Sequence, residues 1–138
     1  MSRLKSSLSP FPSLDETISE LRSLGPVSAG ELLQDWRTRR AVERDLQVLV
    51  EVVIDICQRV IALSGQTPAT TGGDAVERCI AMGVIANREP YRQMVRFRNF
   101  IFHRYERVDA EILAEMVNRR LEDFAQFRQE VLAYAQRG

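Results

Sequence analysis

One histidine, one lysine, one tryptophan and two cysteines are spread over 138 residues, and the net charge is zero. Two cysteines, Cys57 and Cys79, both inside apolar stretches, cannot make a disulfide-built framework and are expected as reduced, packed thiols. No apolar run approaches the ~18 residues of a membrane span. Residues 1–12 are rich in serine and proline and lack a long apolar h-region, which argues against a secretory leader and for a cytoplasmic protein. With 19 basic residues against 19 acidic ones, bulk charge does not make this a coat for nucleic acid, so any such role needs a local patch. No Lys-Ser/Thr follows Gly65, Gly72 or Gly73, which excludes a P-loop. No His/Cys/Asp/Glu cluster has metal-ligand spacing, so neither a metal nor another cofactor is expected on this chain.

What is present suits one globular domain: 45% hydrophobic and 28% charged residues, in a chain long enough to bury roughly two-thirds of its unfolded surface. All basic residues but Lys5 are arginine. Phosphate recognition favours arginine, and a GC-rich genome produces the same bias. Residues 1–12 read as a loose lead and 13–138 as a single helical domain. Leu14, Ile18 and Leu21 recur at helical spacing and predict a helix over 13–24, stopped by Gly25-Pro26. Ser28 with Glu31 three residues on predicts a capped second helix, with a break at Asp35 and a restart at Trp36, itself expected as a core or interface anchor.

From Arg39 to Leu63 the polar residues Glu43, Gln47, Glu51, Asp55 and Gln58/Arg59 form one narrow stripe, and almost everything else is apolar. Such a helix is covered on several sides: it is the centre of a bundle, a dimer seam, or both. Residues 64–74 form a connector. Further helices are expected over 74–85, over 88–102, and from an Asp109 N-cap nearly to the C-terminus. No strand and no internal repeat is evident. The fold class is an all-α, up-and-down bundle of four to five helices.

The segment 88–107 concentrates the charge, with six arginines (Arg88, Arg92, Arg96, Arg98, Arg104, Arg107) against Glu89 and Glu106. At about 100° per residue, Arg92, Arg96, Asn99 and His103 form a continuous polar stripe, with Met94, Phe97 and Ile101 opposite. Arg98 lies inside the apolar arc, about 140° from His103, and needs a partner or a rim because an unpaired buried charge is costly. Glu51, Asp55 or a dimer seam would each serve.

Arg98-Asn-Phe-Ile-Phe-His103-Arg-Tyr105 fits Arg-x4-His-x-Tyr, and with Asp35-Trp36 and the run Ala41–Gln47 it resembles the HepT family of HEPN-domain toxins over about residues 31–136. The resemblance implies a HEPN-like bundle, a two-fold homodimer whose sites meet in a cleft, and a metal-independent endoribonuclease. It also implies an MntA-like nucleotidyltransferase antitoxin that uses ATP and Mg to transfer AMP onto Tyr105. RNA brings its own nucleophile, so His103 suits proton transfer near neutral pH and Arg98 suits stabilisation of phosphate charge. Asn99 would orient His103 or bind phosphate, while Arg92, Arg96 and Arg104 would guide the RNA backbone. The alternative is a non-catalytic HEPN partner of a minimal nucleotidyltransferase, in which Arg98 and His103 contact phosphate without cleaving it.

Overall fold

A computed structural model describes residue 4 and residues 6–103 and 110–137, with residues 100–103 described by their backbone. Helix α1 (Phe11–Ser23) starts two residues before the expected Ser13, because Pro12 is compatible with a first helical turn. The expected loose lead is corrected where it is described: Leu4, Leu8 and Phe11 are buried with Leu14, Ile18 and Leu21. Their 4,3,3,4,3 spacing is one apolar stripe whose first half is obscured in the sequence by Pro10 and Pro12. Gly25, at φ +67°, ends the helix in the left-handed conformation that costs a glycine least.

Ser28 caps α2 (Ala29–Gln34) by accepting from the Glu31 amide at 3.1 Å. Asp35 then ends α2 and caps α3 (Trp36–Leu63), accepting from the Thr38 amide at 3.2 Å and its hydroxyl at 2.6 Å. The break expected at Asp35 is therefore a two-sided cap. Trp36 is 64% exposed, which removes the core reading of that residue within the chain. Helix α3 is the central rod, packing against α1 and the helices that follow it. Its polar stripe is partly buried too: Glu43, 5% exposed, pairs with buried Arg39 at 3.2 Å. Gln47 donates to Glu51 and Arg59 pairs with Asp55, each at 3.2 Å. Gln58 pins the connector by exchanging two 3.0 Å hydrogen bonds with the Ala69 backbone.

Thr71 caps α4 (Gly72–Ala81) through the Asp74 amide at 3.0 Å, so the helix begins before the expected Asp74. A Cβ on Gly72 would stand 2.7 Å from Ile54 Cδ1 and 3.5 Å from Val95 Cγ1. The start of α4 is thus wedged between α3 and α5 (Glu89–His103). Helices α6 (Ala110–Glu115) and α7 (Leu121–Arg137) are joined through a π-helical turn, Met116–Arg120, flanked by helical backbone on both sides. The sequence predicts one uninterrupted α-helix here. Val117 and Leu121, within and just after this wider i→i+5 turn, are both buried in the core. Within that turn, Asn118 exchanges hydrogen bonds of 2.9 and 2.7 Å with the Val27 backbone and ties down the α1–α2 connection. The expected cap Asp109 lies outside the described residues.

Among the described residues the fold is all-α, with five longer rods (α1, α3, α4, α5 and α6–α7) and the short α2. No described helix is long and apolar enough to cross a membrane. Cys57 and Cys79 are free and buried, as expected, with the Cys79 thiol 3.6 Å from the Cys57 carbonyl.

One acid is strained by its position. Burial pushes the Asp45 carboxyl above its ordinary value, and nearby Glu20 adds repulsion. A carboxyl whose folded pKa is raised binds its proton more tightly when folded, so it costs stability at pH values above its folded pKa and ceases to do so below its unfolded one. Asp45→Asn is expected to raise Tm at pH 7, with the gain fading as the pH falls through the carboxylate range. Equal Tm values at pH 7 would contradict this account.

Candidate functional site

Over its described side chains, up to Asn99, helix α5 presents its expected faces, while the expected inward Ile101 lies outside the described side chains. Met94 and Phe97 are buried in the core, while Arg92, Arg96 and Asn99 line one cavity of about 390 Å³. Its other wall comes from the start of α4: Thr71, Gly73, Val76 and Glu77, with Val95 at the base. The stripe is therefore a real surface, and the tight seating of Gly72 brings α4 alongside it. Arg98 is half-buried on α5. His103 is the last residue of α5. Its side chain, with Arg104 and Tyr105, lies outside the described residues.

Among the described residues, Arg88, Arg92 and Arg96 of this cationic segment are matched in space by acids. Arg92 forks onto Glu77, with Nε–Oε2 at 2.5 Å and Nη2–Oε1 at 3.0 Å, and its Nη1 lies 3.7 Å from Glu89. Arg96 reaches Glu89 at 2.5 Å. Arg88 sits 3.8 Å from both Asp123 and Glu130. Hydrogen bonding from Arg92 holds the Glu77 carboxyl below the usual carboxylate range and raises the Arg92 guanidinium in turn. Glu77, Asp123 and Glu130 lie on other helices, so counting charge along the segment misses them. Thr71, Gly73, Val76 and Glu77 are the wall residues that sequence reasoning does not reach, and no local pattern marks them.

Tyr91, one residue before the stripe, is fully buried. Its ring meets Phe127 edge-on at 5.9 Å and lies under the Arg88 guanidinium at 5.5 Å. Burial pushes its hydroxyl well above the ordinary tyrosine value, with Glu130 adding to the shift. This tyrosine anchors α5 to α7, and so fixes the rotation of α5 that turns Arg92, Arg96 and Asn99 toward α4.

A family model described as ribonuclease HepT-like matches residues 14–131, most of α1 to most of α7. The chain belongs to the HepT-like ribonuclease family. No curated protein matches this HepT-like chain. Solved structures do. A chain of the complex between tri-AMPylated Shewanella oneidensis HEPN toxin and MNT antitoxin superposes with a TM-score of 0.80 at 20% identity, covering 96% of this chain and 98% of that one. A toxin–antitoxin complex with AMP-PNP gives 0.79 at 19% identity, covering 96% and 99%. An MntA–HpeT toxin–antitoxin mutant gives 0.73 at 21% identity, again covering 96% and 99%. At these identities the likeness establishes the HepT-like fold.

Proposed function

We propose that this HepT-like chain is an endoribonuclease toxin that works as a two-fold homodimer and is silenced by an MntA-like nucleotidyltransferase antitoxin through AMPylation of Tyr105. The observation that carries the reading is the family match across residues 14–131, which takes in the sequence Arg98-x4-His103-x-Tyr105. The neighbours in complex with antitoxins, one of them tri-AMPylated, support the partner and the modification.

In this mechanism the RNA 2′-hydroxyl attacks the adjacent phosphorus. The new O–P bond closes a 2′,3′-cyclic phosphate, the P–O5′ bond breaks, and the 5′-oxygen leaves as a hydroxyl. His103 takes the 2′-hydroxyl proton and Arg98 neutralises charge on the pentacoordinate phosphorus. One histidine per chain serves one proton transfer at a time, and a two-fold cleft supplies a second for the leaving oxygen. Asn99, one turn before His103, orients its ring or binds phosphate, and Arg104 steers the RNA backbone. No metal or cofactor of its own enters, since ATP and Mg belong to the antitoxin's reaction. AMP on Tyr105 would place bulk and a negative phosphate where the substrate phosphate must sit.

The test is incubation of the partner-free protein with cellular RNA in EDTA. Products ending in 2′,3′-cyclic phosphate are expected. After exposure to an active antitoxin and ATP, cleavage should stop and peptide mass spectrometry should place AMP on Tyr105. Intact RNA from unmodified protein would favour the non-catalytic partner reading.

A further inference from the structure

The cavity between α4 and α5 has a chemistry that its arginines alone do not suggest. Glu77 occupies the Nε/Nη2 edge of Arg92, and Glu89 lies against Nη1. Glu89 also holds Arg96. Two carboxylates thus stand where a phosphate clamp would need free N–H groups, and they would repel an incoming phosphate. What Arg92 has left to offer a ligand is the flat face of a guanidinium fixed in orientation by its fork. The remaining wall is Val76, Val95, Gly73 and Thr71, apolar except for the Thr71 hydroxyl, which already accepts from the Asp74 amide. At the exposed rim Asn99 carries an amide donor and acceptor that make no hydrogen bond among the described residues.

A planar cationic face, an apolar floor and one amide at the rim are the elements by which proteins hold an unstacked base. About 390 Å³ lies within the range of small-ligand pockets and accepts a nucleobase with its ribose. Along α5, Asn99 precedes His103 by about 6 Å of helix axis and Arg92 by about 16 Å. The cavity therefore stands beside the end of α5 that carries His103, not at it.

We propose that this cavity is a base subsite, taking one nucleobase of single-stranded RNA that flanks the scissile phosphate and stacking it on Arg92. The proposal rests on the ribonuclease reading above and supplies its sequence preference. In it, Glu77 acts as a positioning residue for Arg92.

Gly73 gives a clean test, since its backbone needs no positive φ and an added Cβ would meet only Thr71 Oγ1, at 3.9 Å. Gly73→Leu fills the cavity without a backbone clash, and a melting curve checks that it folds. The full chain carrying His103→Ala, which binds without cutting, is titrated with hexamers of rA, rC, rG and rU by fluorescence anisotropy. The four affinities are expected to spread by about tenfold. Adding Gly73→Leu should compress the spread to about twofold. Glu77→Gln should likewise flatten the preference, while steepening the salt dependence as Arg92 becomes a phosphate contact. Equal affinities at the start, or a spread that survives Gly73→Leu, overturns the subsite. If the His103-bearing chain still cleaves RNA in either case, the ribonuclease reading stands without it. No binding of any hexamer, with no cleavage, overturns both.

Discussion

His103→Ala and Arg98→Ala should each lower RNA cleavage by about 10²–10⁴-fold while leaving the helical fold intact. The more telling result is expected when the two inactive proteins are mixed and allowed to exchange protomers. Arg98 and His103 lie about 140° apart around α5, an awkward arrangement for two groups of one helix to converge on one phosphate. If each site draws Arg98 from one protomer and His103 from its partner, a mixed dimer holds one site with both residues intact and one with neither. Random exchange would then lift activity above that of either variant, to at most about a quarter of wild type, since half the dimers are mixed, half their sites hold both groups, and each mixed dimer keeps only one of the two histidines. If both residues act within one protomer, every site of the mixture lacks one group and activity stays at the level of the single variants. Cleavage rate against mixing ratio separates these outcomes, and a single-protomer result would remove the cross-dimer site from the mechanism.

Phe127→Ala should be strongly destabilising, because its ring is the meeting point of three helices. Phe127 is fully buried on α7, with Phe11 of α1 edge-on at 6.4 Å and Tyr91 of α5 at 5.9 Å. Removing it empties that junction, and truncating a buried phenylalanine costs about 3–5 kcal/mol. Against a total stability of roughly 5–15 kcal/mol, Tm should fall by roughly 10–20 °C. Leu33→Ala, at a position 55% exposed, serves as the control and should change stability by less than about 0.5 kcal/mol. A comparable Tm for the two variants would show that the ring chain is not the brace its geometry suggests. Because Tyr91 sets the rotation of α5, loss of Phe127 should also weaken RNA binding before the protein unfolds globally.

The parts of this molecule legible in the sequence are those governed by neighbours three or four residues away. Ser28 caps the helix that its position predicts, the break expected at Asp35 is present, and Met94 and Phe97 turn inward. Helix α3 lies at the bundle centre, one of the options its apolar circumference leaves open. The stripe of Arg92, Arg96 and Asn99 is real because 3.6-residue periodicity alone places it. The lead over residues 1–12 is harder to read, since two prolines obscure a stripe that Leu4, Leu8 and Phe11 carry into the core. The π turn at Met116–Arg120 escapes notice because the apolar spacing through it, Leu113, Val117 and Leu121, is one that a regular α-helix also carries.

What the sequence by itself determined is the presence and order of the longer helices, the face that the periodic ones bury, and the motif text that resembles its family. Tertiary structure alone decided the charge and shape of the site. Arg92 meets Glu77 across 15 residues and Arg88 meets Glu130 across 42, and α4 supplies a cavity wall that nothing in α5 announces. Coulomb attraction and packing depend on separation in space, and for residues on different helices that separation is set by how the helices pack.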